Sequence, residues 1–123
     1  MARRCALIVD GAPIMARMLA EGLDEAGWDA QVASRVGEAL AAVESGHFSV
    51  VVSEVEIPDG DGFELLMRMR TGRGPAPAVI LTSAYPSPAL SRRADEAGAF
   101  GYLPKPFEIE ALVELLESAL ADA

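Results

Sequence analysis

Hydrophobic residues along this chain alternate between two spacings. Short, unbroken apolar runs, typical of strands buried on both faces of a sheet, occur at five places. Between them, apolar residues recur three and four positions apart, which is the spacing of a helix with one buried face. The predicted strands are 6–9, 29–33, 48–52, 78–81 and 100–103, of which the second is the most polar. The pattern therefore predicts five strands that alternate with helices.

Residues that favour helix ends mark where the predicted helices begin. Proline fits the first turn of a helix, and acidic or hydroxyl side chains cap its first amide groups. On this basis Pro13 begins the first helix, Asp61 with Glu64 begins the third, and Ser87 begins the fourth. The fourth helix carries Leu90 as its only large apolar residue, so we expect it to be loosely held. The five predicted helices are 13–26, 36–43 closed by Gly46, 61–69, 88–98 and 109–120.

The alternation of strands and helices predicts the fold class. Short connections between successive strands and helices require right-handed crossovers, so we expect an α/β, doubly wound fold whose parallel sheet is covered on both faces. In such sheets the chemistry lies at the carboxyl ends of the strands. The polar residues at those ends are Asp10, Glu54, Thr82 and Lys105. We expect these four side chains, distant in sequence, to meet in one pocket.

Length and composition limit the class of protein. The length of 123 residues suits a single domain, 1–123, with its own core. The composition, with 51% hydrophobic and 24% charged residues, excludes a disordered chain. The net charge of −9 repels phosphate groups, so we expect no nucleic-acid or membrane partner. No apolar run approaches the roughly 20 residues of a membrane span, and the lone Cys5 cannot form an internal disulfide. We expect a cytoplasmic protein.

Several short motifs lie at the ends of the predicted strands and carry a family resemblance. They are Ile8-Val9-Asp10, Pro58 four residues after Glu54 with Asp61-Gly62 behind it, Leu81-Thr82, and Gly101-Tyr102-Leu103-Pro104-Lys105-Pro106-Phe107. With these motifs, essentially the whole chain resembles a response-regulator receiver domain, the CheY-like domain of bacterial two-component and phosphorelay signal transduction. The resemblance implies a flavodoxin-like fold, with five helices and strand order 2-1-3-4-5.

The resemblance also implies roles for the residues at the strand ends. In that family an aspartate after the third strand accepts a phosphoryl group from a histidine kinase, and two acidic residues after the first strand hold Mg²⁺. A hydroxyl residue and a lysine contact the phosphoryl oxygens, and an aromatic residue on the fifth strand turns inward during signalling. The last three positions correspond to Thr82, Lys105 and Tyr102, and a cis Lys105–Pro106 bond is expected.

Two residues depart from the family pattern. The phosphoacceptor position holds Glu54 instead of aspartate, and the acidic pair after the first strand is Asp10 with Gly11. Mg²⁺ usually takes one or two carboxylates in near-octahedral geometry, and the longer Glu54 side chain misplaces the acceptor for in-line attack. We therefore expect a degenerate metal site at Asp10, Gly11 and Glu54, no cofactor, and no enzymatic activity.

The favoured hypothesis is a pseudo-receiver that binds another protein without phosphorylation. The Glu54 carboxylate then acts as a partial mimic of phosphoaspartate, within reach of Lys105 and Thr82. The expected contact surface is the face formed by the fourth helix, fifth strand and fifth helix, with a histidine kinase or an output domain as partner. A weak homodimer is also considered, in which Arg92 and Arg93 meet the acidic fifth helix, although a solvated face is favoured.

Two other functions stay open. The first is a working phosphoacceptor that uses Mg²⁺, with Glu56 supplying the missing carboxylate. The second is a flavin-binding redox protein, which the Asp10-Gly11-Ala12-Pro13 segment disfavours because it offers no Ser/Thr-rich loop for phosphate. Simpler interpretations of single residues also stay open: Asp10 as a turn former, Glu54 as a solvated strand-end charge, Thr82 as a capping hydroxyl, and Tyr102 as core packing.

Overall fold

A computed structural model describes residues 4–45, 47–72 and 76–121. The strands are β1 (Arg4–Val9), β2 (Trp28–Ala33), β3 (Val50–Glu54), β4 (Glu56–Ile57), β5 (Gly60–Asp61), β6 (Ala78–Ser83) and β7 (Gly101–Pro104). Five of them form one parallel sheet in the order β2-β1-β3-β6-β7, which confirms the predicted order 2-1-3-4-5, since β6 and β7 are the predicted fourth and fifth strands. The other two, β4 and β5, pair in antiparallel fashion as a small hairpin after β3.

In the described part of the chain four helices connect successive strands of the large sheet and a fifth follows its last strand, and the predicted capping residues begin two of them. The helices are α1 (Pro13–Glu25), α2 (Val36–Glu44), α3 (Gly62–Arg70), α4 (Pro88–Glu96) and α5 (Ile109–Ala121). The Asp61 carboxylate accepts a hydrogen bond from the Glu64 amide, and the Ser87 hydroxyl accepts one from the Leu90 amide. Pro13 begins α1 as predicted, because a residue in the first turn needs no amide hydrogen.

Every predicted element differs from the observed one by one or two residues at one end or both. Strand β3 begins at Val50, although its apolar run begins at Phe48. Half-buried Phe48 packs against the core before the strand begins. The Ser49 amide donates to the Cys5 carbonyl just before the first strand residue. Strand β2 begins one residue earlier than predicted, at Trp28. The β4–β5 hairpin was not predicted, because its two-residue strands are too short to give an alternating pattern. The predicted stop at Gly46 lies outside the described residues.

The core has two layers, one on each face of the sheet. Alternate residues of a strand point to opposite faces, so Leu7 and Val9 pack with α2, α3 and α4, while Ala6 and Ile8 pack with α1 and α5. Trp28 is fully buried in the second layer. Among the described residues of α4, only Ala94 is buried. Within the described ranges, no helix is both long and apolar enough to cross a membrane.

The topology brings the strand ends to one edge of the sheet. Because β1, β3, β6 and β7 run in parallel, the residues that follow or close them lie side by side. The register pairs Glu54 with Thr82, and Thr82 in turn with Leu103, two residues before Lys105. The Asp10 amide donates to the Ala33 carbonyl at 3.1 Å, which fixes the backbone just beyond β1.

Candidate functional site

Three charged side chains from three strand ends meet at this edge. The Lys105 Nζ atom donates to Asp10 Oδ2 at 2.9 Å and to Glu54 Oε2 at 2.8 Å. The exposed fractions of these side chains are 11% for Lys105, 2% for Asp10 and 14% for Glu54. The ammonium therefore bridges two carboxylates in a largely water-excluded pocket. We call these three residues the Lys105 cluster.

The other oxygen of each carboxylate is bound by the backbone. The Gly11 amide donates to Glu54 Oε1 at 3.2 Å, and the Ala12 amide donates to Asp10 Oδ1 at 2.8 Å. Asp10 therefore both supports the turn after β1 and belongs to the Lys105 cluster, so its place in the turn does not exclude a role in the pocket. Each of the four carboxylate oxygens has a donor, which is the condition for burying such groups at tolerable cost.

The backbone around Lys105 holds its side chain over the carboxylates. The Lys105 amide donates to the Ser83 carbonyl at 2.8 Å, so the chain stays beside β6 beyond the end of β7. The Lys105–Pro106 peptide bond is cis, which confirms the expectation drawn from the resemblance. Lys105 is the only lysine in the sequence, so this position holds the chain's only ammonium side chain.

The Lys105 cluster contains one positive and two negative groups. Burial and these charged neighbours together shift the pKa values of Glu54 and Lys105. The pKa of Glu54 is raised, first by burial and then by the neighbouring Asp10 carboxyl, against the opposing effect of Lys105. Burial alone lowers the pKa of Lys105, but its hydrogen bonds to Glu54 and Asp10 outweigh burial and raise it. The lysine is therefore held in its charged form by its two partners.

Thr82 lies at the cluster without a direct bond to its carboxylates. The residue is 2% exposed and opposes Glu54 in the β3–β6 ladder. Its carbonyl accepts a hydrogen bond from the Val55 amide at 2.8 Å, while no hydrogen bond in the described part of the chain joins its hydroxyl to Glu54 or Asp10. Thr82 thus borders the pocket but does not bind Glu54, although the sequence suggested that it lies within reach.

Gly11 lies against the ring of Pro58. A Cβ atom on Gly11 would lie 2.8 Å from Pro58 Cδ and 2.9 Å from Pro58 Cγ, closer than carbon atoms pack. The absence of a side chain at position 11 is thus matched by a proline that fills the adjacent space. No group of three or more histidine, cysteine or acidic side chains among the described residues is arranged to hold a metal ion.

Glu56 lies apart from the Lys105 cluster. It is exposed on β4, and its carboxylate accepts a hydrogen bond from the Ser83 hydroxyl, at 3.3 Å to Oε1 and 3.4 Å to Oε2. The structure therefore does not bring this residue to Asp10 and Glu54, where a replacement metal ligand would be needed.

Tyr102 is half-buried on β7, and its ring packs against the α2–α4 side of the core. Its hydroxyl is buried and has no hydrogen-bond partner among the described residues. Burial raises the pKa of the Tyr102 phenol; the nearby Ser83 hydroxyl opposes this and the Glu56 carboxylate adds to it. Core packing is therefore one role of Tyr102, and its buried hydroxyl is a feature that packing alone does not explain.

Two residues that shape this edge carry no sequence signal of their role. They are Ser83, the last residue of β6, and Asp59, in the turn between β4 and β5. The Asp59 carboxylate caps α2 by accepting a hydrogen bond from the Val36 amide at 2.8 Å, whereas the side chain of the N-cap residue Arg35 makes no capping hydrogen bond. No local pattern reveals a cap that comes from 23 residues away.

Residues 6–117 match the family model described as the response regulator receiver domain. The chain belongs to the response-regulator receiver family. Receiver domains of this family interact with other signalling proteins, such as kinases and output domains, in two-component signal transduction.

The curated relatives are longer than the segment that this chain matches. The chain is 38% identical over 101 residues to the transcriptional regulatory protein FixJ of Bradyrhizobium diazoefficiens, covering 82% of this chain and 49% of FixJ. It is 31% identical over 116 residues to the DNA-binding transcriptional regulator NtrC of Rhizobium meliloti, covering 94% of this chain and 24% of NtrC. The receiver domain thus spans from about a quarter to about half of the length of these relatives.

Solved structures share the whole fold. The chemotaxis response regulator CheY4 of Vibrio cholerae superimposes with a TM-score of 0.86 at 28% identity, and the alignment covers 96% of this chain and 99% of CheY4. A receiver domain protein from Methanospirillum hungatei gives a TM-score of 0.87 at 27% identity, over 99% of this chain and all of that one. The CheY-like architecture therefore holds over nearly the full chain.

Proposed function

We propose that this receiver domain is a protein-binding module that works without phosphorylation. The observation that carries the proposal is the double contact of Lys105 with Asp10 and Glu54. The lysine that would contact an incoming phosphoryl group is already paired with the residue at the acceptor position.

The bonding of Glu54 argues against phosphoryl transfer at this residue. Its two oxygens are bound by Lys105 and by the Gly11 amide, so attack on a donor would first have to break these contacts. Phosphoryl transfer also depends on a cation that neutralises the transferring group. The donors present do not suit Mg²⁺, because Asp10 and Glu54 share an ammonium, Gly11 offers no side-chain ligand, and Glu56 bonds elsewhere. Under this proposal the domain needs no cofactor and catalyses no reaction of its own.

Glu54 would serve instead as a fixed, partial mimic of the modified state. A phosphoryl group carries nearly two negative charges and three acceptor oxygens, whereas this carboxylate supplies one charge and two oxygens. One of those oxygens lies 2.8 Å from Lys105, so the ion pair that a phosphoryl group would make is present in reduced form. The expected consequence is a partial, permanent bias toward the partner-binding conformation.

The proposed partner is another signalling protein in the cytoplasm, either a histidine kinase or an output domain. The relatives named above are transcriptional regulators, which favours an output domain. The expected contact surface, called here the α4–β7–α5 face, consists of the exposed residues of those three elements. The chain's charge of −9 argues that the domain itself binds neither nucleic acid nor membrane. A weak homodimer through Arg92 and Arg93 is a lesser alternative.

The main competing function is a phosphorylatable regulator, which the presence of Thr82 and Lys105 favours. The two functions differ in one measurement: incubation with acetyl phosphate and Mg²⁺, followed by intact-protein mass spectrometry. We expect no mass increase, while a receiver domain with an aspartate acceptor, run beside it, gains one phosphoryl group. A stoichiometric phosphoryl adduct mapped to Glu54 would overturn the proposal.

A further inference from the structure

Helix α4 has little apolar contact with the rest of the domain. Among the described residues it buries only Ala94, whereas every other helix buries at least two residues. An alanine removes little apolar area from water, and Leu90, the one larger apolar side chain of α4, is only half-buried against the core. The polar contacts of α4 therefore have a large part in holding it on the domain.

One of these contacts joins Arg93 of α4 to Phe63 of α3. The Arg93 guanidinium carbon lies 4.0 Å from the centroid of the Phe63 ring, well within the reach of about 6 Å for a cation–π contact. The ring is 6% exposed and belongs to the core layer on the α2–α4 side of the sheet. Because the core fixes the ring, the exposed Arg93 side chain is attached to a rigid support.

A second contact runs in the opposite direction, from Arg70 of α3 to Gly98 just beyond the end of α4. Arg70 Nη2 donates a hydrogen bond to the Gly98 carbonyl at 2.9 Å. The Gly98 amide donates to the Asp95 carbonyl at 3.0 Å, which ties Gly98 to the last turn of α4. Gly98 has a φ of +86°, and a Cβ atom there would overlap the Arg70 guanidinium. The glycine therefore both closes α4 and leaves the space in which Arg70 lies.

The two contacts are far enough apart to fix both the place and the direction of α4. Phe63 and Arg70 are seven residues apart on α3, which is about 10 Å along the helix axis. Their partners, Arg93 and Gly98, are five residues apart at the end of α4. A single contact would let α4 pivot about one point, whereas two separated contacts oppose that motion.

We propose that Arg93 and Arg70 clamp α4 to α3 and so hold α4 in one position without a phosphoryl group. The two contacts, Arg93 with Phe63 and Arg70 with Gly98, are called here the α3–α4 clamp. The inference rests on the proposed function, because a module that binds without phosphorylation presents α4 to its partner at all times. Neither contact includes a residue of the Lys105 cluster, so the clamp is tested apart from that cluster.

Hydrogen exchange of the α4 amides, measured on the full chain by mass spectrometry, tests the clamp. Arg93→Ala and Arg70→Ala each remove one contact, and both side chains are exposed, so both variants should fold. We expect the α4 amides to exchange about two- to fivefold faster in each variant, which is the effect of losing one exposed cation–π contact or one of similar strength. The amides of α1, which packs on the opposite face of the sheet, should exchange as before.

Each clamp arginine has a matched control in the chain. Arg92→Ala makes the same change one residue away on α4, at an exposed side chain that takes no part in the clamp. Arg68→Ala makes the same change on α3, where Arg68 pairs with Glu64 of its own helix. Both controls should leave the exchange of the α4 amides unchanged.

The variant Phe63→Leu isolates the cation–π contact from the helix propensity of α4. In the Phe63→Leu background, Arg93→Ala should not accelerate α4 exchange further, because the ring that Arg93 contacts is absent. A further acceleration of the usual size would overturn this part of the clamp. The fluorescence of buried Trp28 reports whether Phe63→Leu folds, and the two single arginine variants decide the question without it.

Three results would overturn the inference. Unchanged α4 exchange in either Arg93→Ala or Arg70→Ala would mean that this contact does not hold the helix. Equal acceleration by Arg92→Ala would mean that any lost arginine loosens α4, and equal acceleration of the α1 amides would mean that the whole fold loosens. The acetyl phosphate assay is read separately: a labelled Glu54 together with the expected exchange rejects the proposed function and leaves the α3–α4 clamp standing.

Discussion

The ring of Pro58 occupies the space that a side chain at position 11 would need, because its Cδ atom lies 2.8 Å from where a Gly11 Cβ would be. An acidic side chain therefore cannot be introduced at position 11 without moving Pro58. The β4–β5 hairpin carries Pro58, and that hairpin is fixed by Asp59 at α2 and by Asp61 at α3. The strand-end pocket and the β4–β5 hairpin are thus packed around a glycine at position 11.

Substitution of Gly11 by alanine should lower stability by overpacking. We expect a loss of about 1–3 kcal/mol in the free energy of unfolding, because the proline ring is rigid and its hairpin is anchored. Gly37→Ala is the matched control: Gly37 lies inside α2 with no atom within 4 Å of the added Cβ. That variant should be neutral or more stable by up to about 1 kcal/mol. Equal effects of the two variants in urea unfolding would show that Pro58 yields freely.

The ion pair between Lys105 and Glu54 should be energetically coupled. Both side chains are mostly buried, so removal of one leaves the other charge without a partner, and Lys105→Ala should cost more than the roughly 0.5 kcal/mol typical of surface changes. In a double-mutant cycle of Glu54→Gln with Lys105→Met, we expect a coupling of about 1 kcal/mol or more.

The exposed pair of Glu64 and Arg68 provides the comparison for that cycle. Its atoms are 3.4 Å apart and about half of each side chain is exposed, so a cycle of Glu64→Gln with Arg68→Met should give no more than about 0.5 kcal/mol. A buried pair that couples no more strongly than this surface pair would mean that Glu54 is only a strand-end charge.

The capping contact of Asp59 should make stability depend on pH. The hydrogen bond from the Val36 amide lowers the pKa of Asp59 from its ordinary 3.8, so the folded state favours the carboxylate. Its contribution is therefore fully present above that ordinary value and is lost as pH falls through the lower folded value. In thermal melting followed from neutral pH to below pH 3.8, Asp59→Asn should lose less stability than the unmodified protein. Asp29→Asn, which removes an exposed charge on β2, should follow the unmodified protein.

The local pattern of residue types is sufficient to predict the central strands of the sheet. The apolar runs that give β1, β3 and β6 are buried on both faces, so their residue types alone indicate strands. Parallel pairing of these strands, and of β7 with β6, then places Asp10, Glu54 and Lys105 together. The contacts that decide the properties of the pocket are different. Pro58 on Gly11 and Asp59 on α2 join segments far apart in sequence, and neither residue type nor spacing signals such a contact.

Magnesium should not stabilise the protein. A ligand at one hundred times its dissociation constant adds about 2.7 kcal/mol, which shifts a melting temperature by several degrees in a domain of this size. We expect no difference between millimolar MgCl₂ and NaCl of equal ionic strength, which controls for screening of the net charge of −9. A shift that occurs with Mg²⁺ alone, and that Asp10→Ala abolishes, would mean that Asp10 exchanges Lys105 for a metal ion.

Restoring aspartate at positions 11 and 54, where the chain departs from the family pattern, should restore phosphorylation. Glu54→Asp alone should accept little phosphate from acetyl phosphate, because the acceptor returns without the cation that neutralises the transferring group. The double variant Gly11→Asp with Glu54→Asp should bind Mg²⁺ and become labelled, and addition of Lys105→Ala should abolish the label. Because Gly11→Asp also displaces Pro58, the variant Gly11→Ala with Glu54→Asp controls for that displacement and should stay unlabelled. If the unmodified protein is labelled as readily as the double variant, then the argument from ligand geometry is wrong, and Glu54 is itself a working acceptor.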